Sequence, residues 1–258
     1  MDMRILMISE RKSMLVNALV EGLQKEGFKI VVSPMDLKKL PTVKEPPATL
    51  LFYLQNGYQD APMEVRMKLI QDYMDERKLG NEQISLFLLG EADELARAKS
   101  AIPQGYISGM FIRPFRADDV ARAIREKDTE NEETYKTLKN VLIVDDDPVM
   151  LRTMQETLAG HYRVFTAGSG MNAIQLLTTT AMDLILLDYE MPVVKGPQVL
   201  EMLRQEPKTK DIPVMFLTAK SDRHSISQIL KLKPEGYLLK SQPQSAIEQA
   251  IANFFAEK

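Results

Sequence analysis

The chain has no cysteine and no tryptophan among its 258 residues. Without thiols there is no disulfide, no thiol nucleophile and no thiolate metal centre, which suits a reducing compartment. A dominant charge is missing as well: 33 Lys and Arg face 36 Asp and Glu, a net charge of −3. No global field draws such a chain to nucleic acid or to an anionic membrane surface, so neither is expected as a partner. Long apolar runs are also absent. Leu184–Leu187 falls far short of the about 20 residues that span a bilayer, and the first residues, Met-Asp-Met-Arg-Ile-Leu-Met-Ile, lack a long apolar stretch before a small-residue cleavage site. The expectation is a soluble, cytoplasmic protein. What is present is ordinary for a globular chain, 45% hydrophobic and 27% charged, with a length that suits two domains of about 150 residues or fewer.

The segment Glu126–Asn140 is almost free of large apolar residues and is flanked by apolar runs. It marks the domain boundary, either as a loop or as a solvated extension of the preceding helix, since Glu and Lys are good helix formers. The division expected is 1–125, a charged linker 126–139, and 140–258. On each side, short apolar runs alternate with segments of helical periodicity, the βαβ pattern of a parallel sheet covered by helices. In the second half the strands are expected at Val141–Val144, Tyr162–Phe165, Leu184–Leu187, Val214–Leu217 and Tyr237–Leu239. Asp147-Pro148 reads as an N-cap followed by proline at the first helical position. The first half follows the same grammar, with strands near Ile5–Ile8, Lys29–Val32, Leu50–Leu54, Leu86–Leu89 and Met110–Ile112.

The two halves align as an internal repeat. Ser9-Glu10 falls on Asp145-Asp146, and Met14-Leu15 on Met150-Leu151, at one offset of 136 residues. From Ser9 to Tyr53 is 44 residues, against 43 from Asp145 to Asp188. From Tyr53 to Gly90 is 37, against 30 from Asp188 to Thr218, and from Gly90 to Arg113 is 23, against 22 from Thr218 to Lys240. Two copies of one fold fit, the first with an insertion between Gln55 and Glu82.

In such a sheet, polar residues at the carboxyl ends of the strands meet in the crevice where ligands bind. The second half places Asp145 and Asp146, Asp188, Thr218 and Lys240 at those ends. Three clustered carboxylates repel one another, and a hard divalent cation, Mg²⁺ or Mn²⁺, held by carboxylates and water, relieves the repulsion. Three carboxylates, one dication and the Lys240 ammonium sum to zero charge. A site of this kind suits phosphoryl transfer, with a carboxylate as the acceptor. Asp188, alone on the central strand, is the candidate. The bland alternative, that Asp145 and Asp146 are solvated turn residues, does not account for Asp188, Thr218 and Lys240 arriving in step.

Here the sequence resembles a known family, the receiver domains of two-component response regulators. Val141-Leu-Ile-Val-Asp145-Asp146-Asp147-Pro148 is similar to their acidic strand end, and Leu184-Ile-Leu-Leu-Asp188-Tyr-Glu-Met191-Pro192-Val-Val-Lys-Gly196 to their phosphoacceptor strand and loop. Ile212-Pro-Val-Met-Phe-Leu-Thr218-Ala219-Lys220 and Gly236-Tyr237-Leu-Leu-Lys240 resemble the last two strand ends. The resemblance covers about 139–256. It implies a flavodoxin-like, doubly wound α/β fold with five parallel strands in the order 2-1-3-4-5, here in both halves. It also implies that Asp188 takes the phosphoryl group and that Mg²⁺ is held by Asp146, by Asp145 through water, by Asp188 and by the backbone carbonyl of Glu190. Lys240, with Thr218 and Ala219, contacts the phosphoryl group, and Thr218 with Tyr237 forms the switch pair. Proline usually follows the lysine in this family, often through a cis bond. Here Ser241 follows, and a cis bond before serine costs about 2.5–4 kcal/mol, so a trans bond is expected. Glu190 and Lys220, two residues beyond Asp188 and Thr218, are expected to pair across the mouth and hinder hydrolysis.

The first half reads as a receiver-like domain stripped of chemistry, with Ser9, Glu10, Tyr53, Gly90 and Arg113 at the corresponding positions. It is expected to pack rather than to take up phosphate. The implied function is a response regulator, not an enzyme: a histidine kinase or phosphotransfer protein phosphorylates Asp188, and the change alters binding to an unidentified downstream protein, with no output domain in the chain. A homodimer through the last helix, which carries Ile247, Ala250, Ile251 and Phe254 on one face, is left open. Two alternatives stand. One is a phosphorylation-independent scaffold; the other is a phosphatase of the haloacid-dehalogenase type, which the order of motifs disfavours because Asp188-Tyr-Glu190 lacks the second Asp. His161 and His224 lack metal-site or triad spacing and are read as surface residues.

Overall fold

A computed structural model describes residues 4–9, 13–36, 47–55, 61–219 and 231–257. The chain divides into two compact units, Met1–Lys136 and Thr137–Lys258. In the first unit the order is β1 (Arg4–Ser9), α1 (Met14–Lys25), β2 (Lys29–Ser33), β3 (Thr49–Tyr53), α2 (Met63–Leu79), β4 (Ser85–Gly90), α3 (Ala92–Ser100), β5 (Ile107–Ile112) and α4 (Ala117–Thr137). In the second it is β6 (Asn140–Val144), α5 (Pro148–Leu158), β7 (Arg163–Ala167), α6 (Gly170–Leu177), β8 (Leu184–Asp188), α7 (Gly196–Gln205), β9 (Val214–Thr218), β10 (Gly236–Leu239) and α8 (Gln244–Ala256). Each unit has a five-stranded sheet, ordered β2-β1-β3-β4-β5 and β7-β6-β8-β9-β10. Every recorded pairing is parallel. This is the expected 2-1-3-4-5 order, twice.

Alternation along the strands explains why each sheet carries helices on both faces. In the first unit Leu6, Ile8, Leu50, Phe52 and Leu88 pack under α2 and α3, through Met67, Ile70 and Leu95. Their neighbours Ile5, Met7, Leu51, Tyr53 and Leu89 face α1 and α4, through Val16, Leu23 and Ile124. The second unit repeats the division. Leu142, Val144, Ile185, Leu187 and Phe216 pack with Val199 and Leu203 of α7, while Val141, Ile143, Leu184, Leu186 and Leu217 pack with Leu158 of α5 and Ile251 of α8. The central strands β3 and β8 are buried along their whole length, which is why they read as unbroken apolar runs.

Helix starts follow the sequence. Asp147 caps α5, its side chain accepting from the Val149 amide, with Pro148 in the first turn, and Ser169 caps α6 through the Asn172 amide. The insertion in the first half contains α2. Strand β5 starts at Ile107, earlier than the apolar run from Met110 indicates. The reason is Gly109: a Cβ there would lie 2.8 Å from the Phe87 ring, so the strand passes an aromatic that only glycine admits. The charged segment after Glu126 is helical, as α4 runs on to Thr137. The extension is held by Lys127–Glu130 and Lys136–Glu132 pairs and by Asn131, whose side chain donates to the Ser85 hydroxyl at 2.9 Å. Between β9 and β10 the sequence also predicts a helix over Ser225–Leu232, most of which lies outside the described residues. No helix among the described residues is long and apolar enough to cross a membrane.

Candidate functional site

At the carboxyl edge of the second sheet, β6 delivers Asp145 and Asp146, β8 delivers Asp188, β9 delivers Thr218 and β10 delivers Lys240. Carboxylate oxygens of Asp145, Asp146 and Asp188 all lie within 4.8 Å of one another. Asp145 is fully buried, Asp188 is 4% exposed, and Asp146 is exposed. Lys240 reaches between the two buried groups, its Nζ 2.7 Å from Asp145 Oδ2 and 3.0 Å from Asp188 Oδ2. The local backbone fixes these positions. The Asp145 amide donates to the Ala167 carbonyl at 3.1 Å, and the Asp147 amide donates to Asp145 Oδ1 at 3.0 Å. The Lys240 amide donates to the Thr218 carbonyl at 2.9 Å. Gly196 closes the loop after Asp188: its amide donates to Tyr189 O at 3.1 Å, and a Cβ would sit 2.1 Å from the Asp188 carbonyl oxygen. Any other residue would displace the backbone beside Asp188.

Burial pushes the Asp188 carboxyl above its usual range; the Lys240 ammonium opposes this and the Asp145 charge adds to it. Burial acts to lower Lys240, yet its bonds and charge contacts with Asp145 and Asp188 outweigh it and raise the ammonium's pKa. The two shifts are not mirror images because Lys240 meets two carboxylates, whereas Asp188 meets one ammonium, one like charge and little water. The donor set also fits a hard cation. Asp145 Oδ2 is buried against the Lys240 ammonium alone among the bonds and ion pairs described, the three groups are all oxygen donors, and Asp146 opens to solvent, where water could supply the remaining ligands of a hard cation.

Other residues named from sequence fall around this cluster. Thr218 is buried at the end of β9, Ala219 and Glu190 are exposed on the same edge, and the Glu190 amide lies 3.4 Å from Asp188 Oδ1. Tyr237 is on the edge strand β10, partly exposed at 38%. Lys220 lies outside the described residues, as does His224, while His161 is exposed beside Glu248 at 3.4 Å. Among the described residues Arg113–Pro114 is the one cis peptide, so Lys240–Ser241 is trans, as expected.

The first unit holds the corresponding positions but joins them differently. Ser9 and Tyr53 are register partners on β1 and β3, and Glu10 lies outside the described residues. Arg113 turns to Glu94, with Nη2 2.9 Å from Oε2, and to Glu91, with Nε 3.3 Å from Oε1. Its guanidinium carbon also lies 5.6 Å from the Tyr53 ring centroid. The Glu94 side chain is 3% exposed, and its Oε2 also accepts from the Glu91 amide at 2.8 Å. A Cβ at Gly90 would lie 2.9 Å from Leu54 Cβ and 3.0 Å from Glu94 Oε2. Burial raises the Tyr53 phenol above its ordinary value, and Arg113 partly offsets it. Reading the sequence missed Glu94. The available signal was Glu91-x-x-Glu94 after a strand end, the spacing of a capping box, and that box is formed here.

Residues 141–252 match the model of the response regulator receiver domain. The match spans nearly all of the second unit, and the first unit repeats the same strand order. Among curated relatives, the chain is 43% identical over 82 residues to a probable cyclic di-GMP phosphodiesterase of Vibrio cholerae, a match covering 32% of this chain and 19% of that protein. It is 26% identical over 117 residues to chemotaxis protein CheY-3 of Vibrio cholerae, covering 45% of this chain and 90% of that protein. The crystal structure of CheY4 from Vibrio cholerae aligns at 25% identity with a TM-score of 0.43, over 45% of this chain and 98% of that one. The chain thus spans less than a fifth of the phosphodiesterase it resembles.

Proposed function

We propose that the chain is a response regulator of a two-component or phosphorelay system in which Asp188 accepts a phosphoryl group and the modified domain changes which protein it binds. One observation carries the reading: the Asp188 carboxylate is buried at the end of the central strand, with Lys240 at 3.0 Å and two further aspartates within 4.8 Å. An Asp188 carboxylate oxygen attacks phosphorus of the donor. The new O–P bond replaces the donor's bond to phosphorus, and the leaving group departs with its electron pair. Lys240 neutralises charge on the arriving phosphoryl oxygens, and burial excludes bulk water from the acyl phosphate. Mg²⁺ held by Asp145, Asp146, Asp188 and the Glu190 carbonyl would supply further charge neutralisation.

A histidine kinase or phosphotransfer protein is the donor in this reading. Thr218 and Tyr237 form the switch: an added phosphoryl group draws the Thr218 hydroxyl, and Tyr237 on the edge strand moves into the space released. Glu190 and Lys220 tune the lifetime at the mouth. The first unit, with Arg113 engaged by Glu94 and no carboxylate at Tyr53, takes no phosphoryl group in this scheme. The test is incubation of the full chain with a small-molecule phosphodonor and Mg²⁺ beside Asp188→Asn, read by intact mass and peptide mapping. One phosphoryl addition, on the peptide holding Asp188 and lost in the variant and without Mg²⁺, is expected. Addition that survives Asp188→Asn, or that maps to residues 1–125, overturns it.

A further inference from the structure

The loop that carries Lys240 solves a problem that its sequence creates. In the first unit the same loop, Arg113-Pro114-Phe115, is held by its proline ring and by Phe115, which packs edge-on against Tyr53 and Phe111 at 6.3 Å each. In the second unit the equivalent residues are Lys240-Ser241-Gln242, and neither device is present. A side-chain bracket takes their place: Gln242 Oε1 accepts from the Leu239 amide at 3.0 Å, and the Gln242 amide donates to the Leu239 carbonyl at 3.0 Å. The bracket closes over the two residues between, Lys240 and Ser241.

The position of Leu239 explains why a side chain is needed. Strand β10 is the edge of its sheet, so successive amides point alternately towards β9 and away from it. The Lys240 amide points inward and donates to Thr218 O at 2.9 Å. The Leu239 amide faces the open edge, where Gln242 Oε1 meets it. The Leu239–Lys240 peptide is held by its N–H to Thr218 O and by its carbonyl, which accepts from the Gln242 amide, while the Gln242 side chain holds the preceding peptide at the Leu239 N–H; together they aim the four-carbon stem which ends between Asp145 and Asp188. A free lysine stem has many rotamers, and a bound backbone at its root narrows them.

We propose that Gln242 is a positioning residue for the reaction at Asp188, acting through Lys240. The inference rests on the proposed function for its rate consequence but has a readout that does not. Gln242→Met keeps the length and removes the acceptor, and Gln242→Glu keeps it. In the full chain with small-molecule phosphodonor and Mg²⁺, Gln242→Met is expected to slow addition by about threefold to tenfold, the range one neutral hydrogen bond spans, while Gln242→Glu stays near the wild type. In a Lys240→Met background, Gln242→Met should have no further effect. In the absence of Mg²⁺, acetylation of Lys240 by an amine-reactive reagent, read by peptide mapping, should be faster in Gln242→Met than in the wild type. Equal Lys240 labelling in the two chains overturns the proposal, as does a rate loss that persists undiminished without Lys240. A wild type that takes no phosphoryl group would sink the functional reading, and the labelling would still decide the role of Gln242.

Discussion

The carboxyl edges of the two sheets have the same strand order and a different balance of charge. In the second unit two buried carboxylates share one ammonium, with a third carboxylate at the surface, an arrangement short of positive charge. In the first, Arg113 has Glu94 buried against it and Glu91 at the rim, and Tyr53 puts a ring where Asp188 stands in the second. One edge gathers three carboxylates about one ammonium, while the other sets one guanidinium between a buried and a rim glutamate. The backbone of the fold therefore does not depend on the chemistry at its edge. The structural difference comes down to how the polar ends of β1, β3, β4 and β5, and of β6, β8, β9 and β10, are paired.

The strongest test of that contrast is Arg113→Ala, which leaves the nearly inaccessible Glu94 carboxylate with the Glu91 amide but no cation. A loss of about 3–5 kcal/mol is expected for stranding a buried charge, measured as reduced protection of first-unit amides in urea-dependent hydrogen exchange. Next in size is the response to Mg²⁺. At a hundredfold excess over its dissociation constant a ligand of the native state stabilises by about 2.7 kcal/mol. Hydrogen exchange should therefore slow in β6, β8 and β9 and stay unchanged in β1, β3 and β4; equal protection of both sets would erase the distinction. Gly90→Thr, which writes the second unit's hydroxyl residue into the first, should cost about 1–3 kcal/mol by overpacking against Leu54 and Glu94. A thermal or urea midpoint equal to the wild type would show that the edge has room.

The smallest expected effect concerns pH. Burial holds the folded Asp188 carboxyl above the ordinary carboxylate range, so between the unfolded value and the raised folded one the native state binds the extra proton. Stability from this group therefore falls as pH rises through that window. Asp188→Asn should raise the urea midpoint at neutral pH in metal-free buffer, and the gain should vanish as pH drops below about 4. A gain that persists at acid pH would place its origin elsewhere.

Much of this was legible in the sequence because strand ends carry their own punctuation. Asp145, Asp188 and Thr218 follow apolar runs directly, and a buried parallel strand needs such a run. What was hidden depends on contacts distant along the chain. The early start of β5 rests on Gly109 passing Phe87, and the first unit's ion pair joins Glu94 on α3 to Arg113 after β5, a partnership no local pattern encodes. Segment 126–140 could not be settled between loop and helix by propensity alone; the Asn131–Ser85 bond, spanning 46 residues, shows that a tertiary contact helps to hold it helical.

Gly90 also bears on how the two edges could interconvert. A hydroxyl side chain there first meets Leu54 and the Glu94 oxygen; an aspartate in place of Tyr53 first empties the space beneath Phe115 and Arg113; a lysine in place of Arg113 first gives up the fork that holds Glu94. Each single step towards an acceptor site loses packing or pairing now, whereas the gain of a bound cation waits for all of them together. The first unit's edge is thus locally self-supporting: each single substitution towards the second unit's residues is expected to cost packing or pairing before a cation could repay it.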